Sequence, residues 1–171
     1  MHIQEEQSER HVLSLTVSNE AGILARIAGL FTARGYNIDS LTVADISSDH
    51  AISRITIVTN GPARVIDQIM AQLDRLVPVH KVVDLADNGP FVERELALVK
   101  VAGTGEDRIE ALRLADVFRA KVVDTTIGSF IFEITGTTEK VDNFVALMSQ
   151  IGLVEVGRTG VVGLVRGKEA V

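Results

Sequence analysis

The chain has 171 residues, 46% of them hydrophobic and 23% charged, with six Phe, one Tyr, no Trp and no Cys. That length fits one ordinary domain or two small ones, each marginal alone and therefore expected to dock or oligomerise. A net charge of −6, with neither half basic, argues against nucleic acid as a partner, and the lack of cysteine removes disulfides, thiolate metal sites and a Cys nucleophile. No apolar stretch approaches the ~20 residues of a membrane span, and the polar start from Met1 to Gln7 lacks the order of a signal peptide. A soluble cytoplasmic protein, with no membrane partner, is expected.

After a polar extension over residues 1–9, residues 11–17 mix β-branched and polar side chains and stop at Ser18-Asn19, the pattern of a strand entering a turn. Ile23, Leu24, Ile27, Leu30 and Phe31 then recur at helical spacing, with Asn19 as the predicted N-cap and Gly35 just past the end. Residues 38–46 and 52–59 read as two strands about Ser47-Ser48-Asp49-His50, a hairpin in which no motif is readable. Val65, Ile66, Ile69, Met70, Leu73 and Leu76 give a second helix, stopped by Pro78 ahead of a strand over 79–85. Residues 10–86 thus form a βαββαβ module.

Residues 87–92 form a linker around Asn88-Gly89-Pro90, and the pattern then repeats over 93–168. A strand over 96–101 and a Gly103-Thr104-Gly105 turn lead to a helix whose predicted apolar face carries Ile109, Leu112, Ala115, Val117 and Phe118. Strands over 121–126 and 130–135, a helix opened by Thr137-Thr138-Glu139 and a strand over 153–156 complete the second module. The predicted fold is α+β, two tandem ferredoxin-like βαββαβ modules, each an antiparallel sheet with both helices on one face. The other face must be solvated or covered, so pairing with another copy is expected.

Catalytic and metal-binding constellations are scarce. His2, His11, His50 and His80 stand at no metal-ligand spacing and read as solvated or strand-edge residues. Gly103-Thr104-Gly105 lacks the Lys-Ser/Thr of a phosphate loop, and Glu106-Asp107 suits a helix N-terminus while repelling phosphate. Glu93 and Glu95, flanking Arg94, read as a solvated junction and not as an acid/base pair. The informative stretch is residues 17–27, where a strand ends in a short polar turn and a helix starts with Gly22. Free N–H groups and the positive end of the helix dipole point at one spot there, a host for a carboxylate. Gly22 would let that carboxylate approach the backbone, Asn19 and Asn37 offer donor and acceptor, and Ile23, Leu24 and Ile38 are candidate linings for an aliphatic group. On spacing alone a second reading stays open, in which Asn19 is only a helix cap and Gly22 only a tight turn.

The run from Asn19 to Leu24, followed by Gly29-Leu30-Phe31 and the run from Arg34 to Val43, resembles the N-terminal ACT domain of the small, regulatory subunits of acetohydroxyacid synthase, also called acetolactate synthase. The resemblance continues through Ser53-Arg54-Ile55-Thr56-Ile57, the junction from Val92 to Leu96 and the C-terminal stretch from Glu155 to Gly167, and so covers residues 10–168. It implies an ACT domain followed by a C-terminal ferredoxin-like domain, with no catalytic residues and no metal of its own. It further implies a large catalytic subunit carrying thiamine diphosphate, Mg²⁺ and FAD, which condenses two pyruvates, or pyruvate with 2-oxobutyrate. The small subunit is expected to raise that activity and to confer feedback inhibition by valine, or by leucine or isoleucine, in branched-chain amino acid synthesis. Homodimerisation through ACT domains is implied too, with the effector held between protomers by Asn19, Gly22, Ile23 and Leu24 and by Asn37 and Ile38.

Two readings of other classes compete. A small acylphosphatase-like hydrolase on the same fold needs an Arg-bearing loop after the first strand, where this chain has Ser18-Asn19-Glu20. An ACT-type transcriptional regulator needs a DNA-reading helix and a basic face.

Overall fold

Alternation along β1 (Glu9–Ser18) sends Leu13, Leu15 and Val17 to one face, and in the computed structural model, which describes residues 8–170, that face is the floor of a core. α1 (Ile23–Thr32) lays Ile23, Ile27 and Phe31 on it, and α2 (Ala63–Leu73) adds Ile66, Ile69 and Leu73. The hairpin of β2 (Ser40–Asp45) and β3 (Ile52–Gly61) and the strand β4 (Val79–Asp84) complete an antiparallel sheet in the order β2-β3-β1-β4. Because Leu13 faces Ile57 and Leu15 faces Ile55, apolar side chains of neighbouring strands stack under the helices. Each such side chain contributes about 1.5–3 kcal/mol by leaving water.

The second sheet repeats this plan. β5 (Phe91–Ala102), α3 (Gly105–Val117), β6 (Lys121–Thr125), β7 (Ser129–Gly136), α4 (Thr138–Ser149) and β8 (Leu153–Arg158) give the strand order β6-β7-β5-β8. Aromatic rings fill its core, with Phe132 lying 5.3 Å from Phe130 and 6.0 Å from Phe144, the latter edge-on. Thr137 caps α4, its Oγ1 accepting from the Lys140 N–H at 3.3 Å. Irregularities repeat as well. A register shift falls at Thr16/Val17 between β1 and β4 and at Lys100/Val101 between β5 and β8. Just beyond, the Ser18 N–H donates to Pro78 O at 2.7 Å and the Ala102 N–H to Gly152 O at 2.8 Å. Two stretches without evident sequence identity thus share a backbone plan down to its bulges.

Several expectations need correction. The described residues up to Val92 and those from Val162 onward make one compact unit, and Glu93–Val161 makes the other. Residues 162–168, expected in the second module, therefore group with the first. A further strand, β9 (Val162–Val165), pairs with β5, and the Arg166 N–H donates to Pro90 O at 2.9 Å. β5 already starts at Phe91, so the predicted linker over 87–92 ends as strand. Of the polar extension, residues 1–7 lie outside the described residues, and Glu9 belongs to β1. α3 keeps part of its predicted face, with Ala115 buried and Phe118 packed on the core, but Ala111 is buried too while Ile109, Leu112 and Val117 are exposed. Glu95 is buried and paired with Arg158, which also donates to Asp142 Oδ1 at 2.6 Å, so the junction is an ion-pair clamp and not a solvated cluster.

Candidate functional site

The chain leaves β1 through a turn pinned on both sides. The Asn19 N–H donates to Ala51 O at 2.8 Å, the Glu20 N–H to Ser18 O at 2.9 Å, and Ser18 Oγ lies 2.8 Å from His80 Nε2. Gly22 sits at φ +85°, the left-handed region, and occupies the N-cap of α1 without any side-chain cap. A Cβ built there meets no atom within 4 Å, so backbone conformation demands the glycine while the space before the helix end stays open. The Ile23 N–H goes to Glu20 O at 3.3 Å and the Arg26 N–H to Gly22 O at 3.1 Å. Leu24 and Ala25 keep N–H groups that helix geometry leaves without an intrahelical acceptor, and no acidic side chain stands in this first turn. The arrangement is a positive, open helix end suited to a carboxylate.

Asn19 is not the cap that its position predicts. Its Nδ2 donates to Asp45 Oδ1 at 3.2 Å and to His50 O at 3.0 Å, tying the turn to the β2–β3 hairpin. Asp45 also accepts from Ser53 Oγ at 2.8 Å, and its other oxygen lies 3.0 Å from His50 Nδ1. The Ser53 hydroxyl first, and the His50 imidazole second, hold the Asp45 carboxyl below the ordinary carboxylate range. Ser47 Oγ closes the loop, accepting from the N–H groups of Ala51 and Ile52 and donating to Asp49 Oδ1 at 2.6 Å. That contact likewise holds Asp49 low. Asp45, His50 and Ser53 escaped sequence reasoning. Their available signal was the placement of Asp45 and Ser53 across a four-residue polar turn, where strand pairing sets them opposite each other.

The other predicted residues separate. Ile23 is only 7% exposed and belongs to the core, so it lines no surface pocket, whereas Leu24, 41% exposed, stands beside the open turn. Ile38 is half-buried against the same core. Asn37 is exposed, donates to Asp39 Oδ1 at 2.9 Å, and receives Thr59 Oγ1 on its backbone carbonyl at 2.7 Å. Strand register fixes its distance from Asn19. Ser40 pairs with Val58 and Val58 with Val12, whereas Ser18 pairs with Ile52, so the two asparagines lie at opposite ends of the sheet. Six residues of strand put about 20 Å between these ends. Within one chain the turn and Asn37 do not meet. The same separation leaves the Ser18-Asn19-Glu20 turn without the Arg and neighbouring Asn that an acylphosphatase-like site requires.

His11, read as a solvated or strand-edge residue, is instead buried on the inner strand β1, with Nδ1 2.6 Å from Asp84 Oδ2. Among the described residues no group of three or more His, Cys, Asp or Glu is placed to hold a metal ion, and no helix is long and apolar enough to cross a membrane. At the start of α3, Glu106 and Asp107 occupy the first turn, which does not fit a diphosphate-bearing cofactor.

Fold and turn together define an ACT-domain protein with a second ferredoxin-like module. Residues 13–81 match the model of the small-subunit-like ACT domain of acetohydroxyacid synthase, and residues 94–167 match that of the small subunit of acetolactate synthase. The chain belongs to the family of acetolactate synthase small subunits. It is 44% identical over 161 residues to the acetolactate synthase small subunit of Haemophilus influenzae, covering 94% of this chain and 98% of that one. With the isozyme 3 small subunit of Escherichia coli it shares 45% identity over 159 residues, 92% of this chain and 96% of the other. The crystal structure of the Thermotoga maritima small subunit superposes with a TM-score of 0.83 at 37% identity, covering 94% and 99% of the two chains.

Proposed function

We propose that this chain is the regulatory subunit of an acetolactate synthase, acting in the cytoplasm as a homodimer. It has no active site of its own. A separate large subunit holds thiamine diphosphate, Mg²⁺ and FAD and performs the condensation of 2-oxo acids, and this chain raises that activity and makes it sensitive to valine. The effector sits between protomers, its carboxylate on the N–H groups at the start of α1 beside Gly22, with Asn19 and Leu24 from one copy and Asn37 from the other. Ile38 backs Asn37, and Ile23 supports the site from the core.

One observation carries this reading. Asn37 lies about 20 Å along the sheet from the turn that it should complete, and β2 is an edge strand. Two copies pairing antiparallel along β2 set the Ser40 end of one against the Asp45 end of the other, which brings Asn37 of one copy toward the Asn19 turn of its mate. Domains of marginal size that need pairing suit a protein working as a dimer bound to something larger. Inhibition then requires that valine favour an arrangement supporting the large subunit less well.

The test is reconstitution with a candidate large subunit and measurement of acetolactate formation with and without valine. A rise in rate on adding the chain, and its loss on adding valine, is expected; no rise defeats the proposal. Gly22→Asp places a carboxylate at the effector's carboxylate position. It is expected to abolish valine inhibition, read as the ratio of rates with and without valine for the same holoenzyme.

A further inference from the structure

Asn19 has a committed side chain. Both acceptors of its amide, the Asp45 carboxylate and the His50 carbonyl, are oxygens that donate nothing, so only Nδ2 can face them and the amide has a single orientation. An NH₂ group has two hydrogens, and both are spent. The atom left to a ligand is Oδ1, which only accepts. Asn19 therefore has no donor for a carboxylate, and its free functionality matches an ammonium group.

We infer that Asp45, braced by Ser53 and His50, is a positioning residue that locks Asn19 with Oδ1 outward and so makes the site select ligands bearing an α-ammonium group over the corresponding 2-oxo acids. The inference rests on the effector site proposed above. It divides the work within one turn, with the α1 N–H groups for the carboxylate and Asn19 Oδ1 for the ammonium. The hairpin is built to hold this state. Ser53, on β3, stands directly across from Asp45 and donates to the oxygen that Asn19 uses, and His50 Nδ1 donates to the other. His50 itself stands at φ +57°, a strained choice for a non-glycine residue, which aims its carbonyl at Asn19 Nδ2. Without Asp45 the amide keeps only the His50 carbonyl as an acceptor and is held less firmly with Oδ1 outward. Discrimination of this kind matters because the large subunit of such an enzyme works on 2-oxo acids, which share the effector's carboxylate and lack its ammonium group.

Calorimetric titration of the full-length chain with valine, and with the 2-oxo acid of the same carbon skeleton, tests the inference. The parent chain is expected to prefer valine by ~100-fold or more, since a site built to hydrogen-bond a group rejects the analogue lacking it. Asp45→Ala is expected to weaken valine by ~10-fold or more, the scale of one hydrogen bond to a charged group, and to narrow the preference. Asp45→Asn keeps an acceptor toward Asn19 and should stay within about threefold of the parent. Valine binding unchanged in Asp45→Ala overturns the inference, as does an equal loss of valine and oxo acid, which marks a merely structural role. If circular dichroism shows Asp45→Ala unfolded, Ser53→Ala takes its place, with a loss of several-fold and the same narrowing expected, and no change in preference counts against the inference. A parent chain that binds no valine fails the proposed function, and the inference with it. Valine binding that Gly22→Asp abolishes and the hairpin variants leave alone fails the inference only.

Discussion

The β1–α1 turn of the first unit and the β5–α3 turn of the second occupy the same place in the same strand order, yet they are dressed for different tasks. At the start of α1 the N-cap is Gly22 at φ +85°, no side chain caps the helix, and its first turn holds no acid. At the start of α3 the cap position is Thr104 in an extended conformation, and Glu106 and Asp107 fill the first turn. The first helix carries no acid to offset its positive end, whereas the second neutralises its own. A hairpin network grips the first turn through Asn19, while Arg108 ties α3 to the second hairpin by reaching the carbonyls of Thr126 and Ile127 and stacking 3.9 Å over Phe130. The repeated fold provides two scaffolds, and of these two helix starts only that of α1 lacks an acid in its first turn.

This contrast can be broken by experiment. The largest effect is expected in the second core, where aromatic rings do the packing that aliphatic side chains do in the first. Phe132→Ala removes the ring between Phe130 and Phe144 and should cost about 3–5 kcal/mol of unfolding free energy in denaturant titrations. Valine binding below the transition is expected to survive, since no site residue lies in that core. Gly152→Ala comes next. A Cβ there lies 2.1 Å from Ala102 O, a backbone atom that cannot swing aside, so a loss of about 3 kcal/mol should appear as a lowered melting temperature.

Converting the first helix end into the second sharpens the comparison. Ala25→Glu supplies the acid that the first turn of α1 lacks. The helix should gain about 0.3–1 kcal/mol while valine affinity falls by ~10-fold, opposite signs that separate stability from binding. The smallest effect is a pH dependence. Because Asp45 titrates below the ordinary carboxylate range in the folded chain, its contribution is full above that range and is lost as pH falls through the lowered value. Valine affinity followed by calorimetry should therefore hold steady through mildly acidic pH and decline only below the usual carboxylate titration, and Asp45→Asn should remove that decline.

Much of this was legible in the chain. Helical spacing at Ile23, Ile27 and Phe31 and alternation at Leu13, Leu15 and Val17 dictated elements and core alike, because burial on one face writes its period into sequence. The failures have reasons. β9 is four residues within a glycine-rich stretch, too short to show a period. α3 buries Ala115 and packs Phe118 as predicted, but it also buries small Ala111 and leaves Ile109 and Leu112 outside, so size and hydrophobicity alone misjudged part of the face. Asn19 has the residue type of a cap at a capping position, but the left-handed Gly22 moves the helix start and frees its amide for the hairpin.

From the sequence alone came the two βαββαβ modules, the strand–turn–helix at Gly22 and the family resemblance, since each rests on residues close together along the chain. Tertiary structure alone decided that Asn19 and Asn37 stand at opposite ends of one sheet, that Asp45 fixes the Asn19 amide, and that the chain from Val162 groups with the first unit. Strand order and register set those relations between residues distant in sequence, and local pattern carries no record of either.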